Sequence, residues 1–329
     1  MKAGIIGCGN ICGIYIENLM KKFNNVELVA LADKAAEKAT ATAEKYGIAA
    51  CTSAEMLANP EIKIIVNLTT PDAHFKVNMA ALNAGKHIYS EKPLAVWREE
   101  GAEIIRFANE NNLYIGCAPD TFLGGGIQTC IKLINDGVIG RPVAATAFLM
   151  CRGHEHWHPD PEFYYKIGGG PMLDMGPYYL AALVTMLGSV KRVCGSAGIS
   201  FPTRTITSEK KHGTIVEVET PTHIAGILDF ECGAIGTVIT SFDVCASDLP
   251  YIEIYGSDAT LSVPDPNTFG GPVRLFRPER GEFLEMPLTF GYPENSRGLG
   301  LADMAKALQT GRKPRAGVDL TYHVLEAMT

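Results

Sequence analysis

GIIGCGNICGIY, residues 4–15, runs from an apolar strand through a glycine turn directly into a helix. In Gly7-x-Gly9 the first glycine permits the tight turn. The second lets a pyrophosphate approach the backbone at the helix N-terminus, with Asn10 and Ile11 completing the turn. The third small position is Cys12, followed by Gly13, and a small residue there still lets helix and strand pack closely. Asp33 closes the next strand, VELVALAD (26–33), at the separation where a carboxylate accepts hydrogen bonds from adenosine ribose hydroxyls. The same aspartate could instead cap the helix that starts at Lys34. A carboxylate here repels a 2′-phosphate and so favours NAD, while the adjacent Lys34 keeps NADP open.

Outward from this turn, apolar runs alternate with helical stretches up to about residue 118. AGIIG (3–7), VELVALAD, IKIIVNL (62–68), KHIY (86–89) and LYIGC (113–117) read as strands. Helices are expected over 11–22, 34–46, 72–84 and 97–110. Such continuous apolar runs fit strands buried on both faces, and the alternation implies a parallel sheet with right-handed crossovers. Beyond that, 124–140 reads as a helix ending in a glycine turn, and VAATAFLM as a strand. A Gly/Pro/His-rich loop (152–171) precedes a helix over 173–187. Several strand-like runs at hairpin distances within 190–288 predict a largely antiparallel sheet. A helix over roughly 296–310 follows, and LTYHVLEAMT (320–329) stops in mid-helix by pattern, leaving room for the natural chain to run on. The expected fold class is α/β: a dinucleotide-binding domain over 1–120, then an α+β domain over 121–329 with a large, mainly antiparallel open sheet.

The composition supports this division. A chain of 329 residues, 47% hydrophobic, is long enough for two cores. Its net charge of −7, with both signs interspersed, argues against nucleic acid and anionic membrane surfaces as partners. Nine scattered cysteines, with no C-x-x-C pair, argue against a disulfide framework or a zinc site. No run reaches the length of a membrane span and the N-terminus does not read as a signal peptide, so the expected setting is the cytosol.

YSEKPLAVW (89–97) places a glutamate, a lysine and a proline where a strand ends. Ligands of doubly wound sheets bind at strand C-termini, which gives Lys92 a functional reading over that of a surface lysine in a turn. Together GCGN, LTTPDAHF (68–75) and EKP, in this order, resemble the Gfo/Idh/MocA family of glucose–fructose oxidoreductase- and inositol dehydrogenase-like proteins. GGGPMLDMGPYYL (168–180) and SRGLGLADMAKAL (296–308) extend the likeness over essentially the whole chain. The resemblance implies that Lys92 sits beside the nicotinamide and hydrogen-bonds the reacting hydroxyl, and that Lys92–Pro93 is a candidate cis bond. It also implies that Glu91 contacts cofactor ribose and that Thr69, Pro71 and His74 border the cofactor. Thr70 stands where many relatives carry proline, and His74 could equally be a helix-face histidine pairing locally.

Asp174 and Tyr178 lie four apart, on one helical face. The family usually has histidine at the second position, the presumed proton acceptor; here a tyrosine stands there. Oxidising an alcohol requires a group to take the hydroxyl proton. A neighbouring ammonium such as Lys92 would favour the phenolate of Tyr178, with Asp174 orienting substrate or lysine. Tyr178 could also simply pack against the sheet. In CRGHEHWHPDPEFYY (151–165), Arg152, His154, His156 and Trp157 suit a sugar pocket, aromatic faces stacking on C–H surfaces while polar groups bind hydroxyls. The alternating histidines lack the geometry of a metal site, and an ordinary solvated loop is the alternative. Asp120 and Thr121, after LYIGC, are expected to face the nicotinamide. These readings converge on an NAD(P)-dependent dehydrogenase of a sugar, polyol or related cyclic polyhydroxy compound, working as a homodimer or homotetramer. An NAD-dependent glycoside-cleaving enzyme that oxidises its substrate transiently, or a non-catalytic dinucleotide-binding regulator, are the alternatives.

Overall fold

The computed structural model describes residues 1–329 and divides into two compact units: Met1–Asp120 with Ser296–Ala327, and Thr121–Asn295. The first contains β1 (Lys2–Ile6), α1 (Cys12–Lys22), β2 (Glu27–Ala32), α2 (Ala36–Tyr46), β3 (Ala49–Ala50), α3 (Ser53–Ala58), β4 (Ile64–Asn67), α4 (Pro71–Asn83), β5 (His87–Ser90), α5 (Arg98–Glu110) and β6 (Ile115–Cys117). The six strands form one parallel sheet in the order β3-β2-β1-β4-β5-β6. From β1 the chain first builds outward on one side, then returns to build on the other. The crevice between the ends of β1 and β4 is therefore the topological switch point, where such sheets bind ligands. Buried Ile5, Leu31, Ile64, Ile65, Val66 and Ile88 explain why these strands read as unbroken apolar runs.

Residues 47–61 carry two elements absent from the expectation, the short β3 and α3. The signal for α3 is in the sequence: Thr52 and Glu55 form a reciprocal capping box at its N-terminus.

The second unit contains α6 (Gly125–Asn135), β7 (Pro142–Met150), α7 (Gly170–Leu187), β8 (Val190–Gly198), β9 (Thr203–Thr205), β10 (Ile215–Glu217), β11 (His223–Phe230), β12 (Ile235–Ser241), β13 (Ile252–Gly256), β14 (Thr260–Val263), β15 (Val273–Phe276) and β16 (Phe283–Met286). Eight of these strands form a sheet in the order β16-β15-β14-β13-β7-β12-β11-β8, antiparallel throughout except for the parallel β7–β12 pair, while β9 and β10 form a small hairpin. One sheet face is buried through Ala145, Ala147, Leu228, Val238, Ile254 and Leu261, and α6 and α7 pack on the sheet.

The final helices, α8 (Leu299–Thr310) and α9 (Val318–Met328), return to the first unit. Cys117 N donates to Ala316 O at 3.0 Å, and the Asn18 and Asn25 side chains donate to the carbonyls of Arg297 and Ala302 at 2.9 and 2.7 Å. The second unit thus ends at Asn295 rather than at 329. A linear reading had no signal for this return, because it rests on backbone pairing with β6.

Candidate functional site

In the first unit the glycine turn is built by close approach. Gly7 has φ +109°, and a Cβ there would lie 2.6 Å from the Leu68 carbonyl carbon and oxygen, at the end of β4. Gly9, one step further, is exposed and a Cβ on it would meet nothing within 4 Å. The pair thus closes the turn on one side and leaves open space above the start of α1 on the other, a fit for a pyrophosphate. Asn10 is exposed there and Ile11 half-buried. The Asp33 carboxylate accepts from Cys8 N at 2.7 Å and from Ala35 N at 2.9 Å, one bond to each oxygen. It does not cap α2, whose N-cap is Ala35. Each oxygen keeps a second acceptor site, as a ribose diol requires.

The turns after β4 and β5 are locked by a buried amide chain. Thr69 Oγ1 donates to Asn67 Oδ1 at 2.6 Å, Asn67 Nδ2 to Asn78 Oδ1 at 2.8 Å, and Asn78 Nδ2 to Ser90 Oγ at 3.2 Å. Pro71 opens α4, and fully buried His74 spans the two turns, Nδ1 lying 2.7 Å from Pro93 O and Nε2 3.1 Å from Thr69 O. Burial pushes its pKa down against the pull of both carbonyls, so the ring is neutral and its single proton is assigned to the shorter contact. His74 therefore ties the Thr69 turn to the Lys92–Pro93 peptide, which is cis. Lys92 ends this turn half-buried.

Two carboxylates expected at the cofactor have partners within the protein. The Glu91 carboxylate, expected at a ribose, accepts from Tyr15 Oη at 2.7 Å through one oxygen and from Lys92 N at 3.0 Å through the other. Burial, with the Glu91 charge, pushes the Tyr15 phenol well above its ordinary range, keeping it a donor. Asp120, expected at the nicotinamide, is likewise held by protein groups. It is 1% exposed, and one oxygen accepts from Gly298 N at 2.8 Å and Gly300 N at 3.0 Å at the start of α8. That helix starts on glycines, which have no capping side chain of their own. Burial raises Asp120 to about 6, partly opposed by these two bonds.

In the second unit the loop before α7 is held from below. Arg204 of β9 pairs with Glu155 at 3.2 Å and with Asp243, and donates to Phe242 O at 2.7 Å. Tyr165 Oη donates to Glu155, and Thr222 Oγ1 to Asp243 Oδ2 at 2.6 Å. This knot lies against a core of Tyr165, Ile206, Val216, Val218 and Phe242. Above it, His154 Nε2 lies 3.2 Å from Asp174 Oδ2, and Trp157 Nε1 lies 3.3 Å from His154 Nδ1. The His154 ring meets Tyr164 and Phe242 edge-on, at centroid distances of 4.4 and 4.7 Å. The three histidines diverge: His156 is exposed, and buried His158 accepts from Asp160 N through Nδ1. Arg152 is exposed, Trp157 is 55% exposed, and Tyr178, one turn beyond Asp174 on α7, is 7% exposed. Thr121, expected at the nicotinamide, is 2% exposed and opens a 3-10 turn.

The structure thus gathers Gly7, Gly9, Asp33, Thr69, Pro71, His74 and Lys92 in one unit, and Asp174, Tyr178, His154 and Trp157 in the other. Asn67, Asn78, Glu155 and Arg204 were missed. The asparagines lie inside apolar strand and helix patterns, where a polar residue is itself a signal of a buried bond.

Residues 1–117 match the family model described as "Oxidoreductase family, NAD-binding Rossmann fold", and residues 127–262 match the GFO/IDH/MocA C-terminal domain. The chain is 31% identical over 173 residues to an inositol 2-dehydrogenase/D-chiro-inositol 3-dehydrogenase of Lactiplantibacillus plantarum, covering 50% of this chain and 46% of that protein. It is 29% identical over 257 residues to a D-glucoside 3-dehydrogenase of Escherichia coli, covering 74% and 70%. The chain spans about half the length of the first curated relatives it matches. The crystal structure of an NAD binding oxidoreductase from Klebsiella pneumoniae shares the fold at a TM-score of 0.85 and 19% identity, covering 100% of this chain and 94% of that one.

Proposed function

The chain belongs to the Gfo/Idh/MocA oxidoreductase family, and from that premise we propose that it moves a hydride between NAD and a hydroxyl or carbonyl of a sugar, a polyol or a related cyclic polyhydroxy compound. The observation that carries this reading is the open Gly9 turn beside an Asp33 carboxylate with acceptor capacity to spare, at the switch point of a sheet in which Lys92 lies just past the end of β5. The inositol and glucoside named for the relatives support the substrate class. NAD, when bound, supplies or accepts the two-electron hydride. Gly7 and Gly9 would admit its pyrophosphate and Asp33 would accept from its ribose hydroxyls, with exposed Lys34 leaving NADP in play. Lys92 would donate to the reacting oxygen and stabilise the negative charge that builds there as the proton leaves. Tyr178 was expected to accept that proton. The aromatic side chains of the 151–165 loop would stack on the substrate's C–H faces. A panel of sugars and polyols, read by NADH or NADPH absorbance, tests the reading; a protein that binds NAD and oxidises nothing in the panel overturns it.

We also propose a homo-oligomer built on the sheet face away from α6 and α7. Ile227 and Ile235 are 49% and 55% exposed on neighbouring strands β11 and β12. A second copy of the same face would cover them. Light scattering at micromolar concentration should show a dimer or tetramer, and a monomer overturns this. The odd cysteine count without pairing motifs supports the cytosol as its setting, and no helix is long and apolar enough to cross a membrane.

A further inference from the structure

We propose that Nδ1 of His154, oriented by Asp174 and covered by the Trp157 indole, is the proton acceptor of the reaction. The proposal rests on the oxidoreductase reading above.

The tautomer follows from the partners. An indole nitrogen can only donate, so Trp157 Nε1–H at 3.3 Å requires a lone pair on Nδ1. The proton of the neutral ring then sits on Nε2 and is donated to Asp174 Oδ2 at 3.2 Å. This is the arrangement of a carboxylate-oriented imidazole base: one nitrogen held by the acid, the other carrying the reactive lone pair. The Asp174 carboxylate stabilises the imidazolium once a proton arrives. Both side chains keep some access, 16% for His154 and 15% for Asp174, whereas Tyr178 is 7% exposed. Tyr164 and Phe242 pack edge-on against the ring.

Trp157, which donates to Nδ1, is itself 55% exposed. Its indole N–H occupies the position a substrate hydroxyl would take, so the hydroxyl must displace it. The carbinol being oxidised would lose its hydroxyl proton to Nδ1, and NAD, when bound, would supply the two-electron acceptor for its hydride. The C–O bond becomes a carbonyl, and His154 is left protonated against Asp174. Other ionisable groups around the ring are His158 and Cys151 in its own loop, Tyr164 of the following 3-10 turn, and Glu155, which is held by Arg204 and Tyr165.

Two measurements test this on the intact chain. With uniformly ¹⁵N-labelled histidine, the resonances lost in His154→Gln should show Nε2 protonated and Nδ1 unprotonated in the wild type, and Trp157→Phe should shift Nδ1. An Nδ1-protonated tautomer overturns the proposal with no substrate needed. With the best substrate of the panel, kcat of His154→Gln should fall at least ~100-fold, the scale of a positioned proton-transfer group, while Tyr178→Phe falls less than tenfold. Circular dichroism should confirm that His154→Gln is folded. A His154→Gln variant as active as wild type, or a larger loss in Tyr178→Phe, overturns the base assignment and leaves the oxidoreductase reading standing. A wild type that binds NAD but oxidises nothing overturns that reading, and the base assignment with it.

Discussion

The turns of the first unit and the 151–169 loop of the second use their polar side chains in opposite ways. In the first unit, the charged and aromatic groups around the glycine turn are scaffolding. Glu91 is bound to Tyr15 and its own backbone, Asp120 to two amides of α8, and His74 to two carbonyls. On the proposed reading, a ligand there would meet mainly backbone, together with Asp33 and Lys92. In the second unit the scaffold is an ion-pair knot beneath the loop, and imidazole, carboxylate and indole remain partly accessible above it. A site made of backbone is fixed by strand ends and glycines. A site made of loop side chains is only as well defined as the buried charges that hold the loop.

Breaking the knot should therefore give the largest effect. Arg204→Met keeps the side chain's bulk but strands Glu155 and Asp243, whose side chains are 12% and 7% exposed. Removing one member of a buried ion pair costs about 3–5 kcal/mol. Urea unfolding should show this loss, with the second unit yielding first. A loss under ~1 kcal/mol would mean that the loop does not depend on its charges, since that is the scale of an exposed pair.

Lys92 sharpens the same comparison from the other side, as an accessible charge on a rigid turn. Lys92→Ala should leave stability and NAD affinity nearly unchanged while lowering kcat at least ~100-fold. Calorimetric NAD titration and turnover with the best substrate decide it; equal kcat in the two proteins removes Lys92 from the chemistry.

Asp120 tests whether the first unit's inward carboxylates are structural. Its pKa in the fold is raised, to about 6 from 3.8, so the fold favours the neutral acid. The sign follows: stability is highest below about pH 4 and declines as pH rises through about 6, by roughly 2–3 kcal/mol at ~1.4 kcal/mol per unit. Asp120→Asn keeps an acceptor for the Gly298 and Gly300 amides and removes the titration. Relative to wild type it should gain stability across this window, and a difference that stays constant with pH would show that Asp120 is not the group responsible.

The first unit was the more legible in sequence, because its signals are backbone signals. Glycines at a strand end, a carboxylate closing the next strand and an apolar alternation all survive translation into structure. What could not be read there is the protein partners of side chains at strand and turn ends: Glu91, Asp120 and Thr121 are all buried. In the second unit, Asp174 and Tyr178 were found by helical spacing, and the loop's aromatic character drew attention to His154. That His154 pairs with Asp174 could not be read, since the loop's course is set by Arg204, 49 residues from Glu155. The return of α8 and α9 to the first unit was hidden for the same reason.

Asp33 is where the two kinds of site would meet, a side chain proposed for recognition on a turn otherwise made of backbone. Its two oxygens already hold Cys8 N and Ala35 N, so part of any mutational effect would be on the turn itself. Cofactor preference separates the roles. Loss of the turn weakens NAD and NADP alike, whereas loss of the ribose acceptor weakens NAD more and relieves the repulsion of a 2′-phosphate. Asp33→Ala should accordingly move the NAD/NADP affinity ratio towards NADP by about tenfold, or ~1.4 kcal/mol. Titration of both cofactors into both proteins measures it. Equal weakening with an unmoved ratio would make Asp33 one more inward carboxylate, like Glu91 and Asp120, and leave ribose recognition to the backbone.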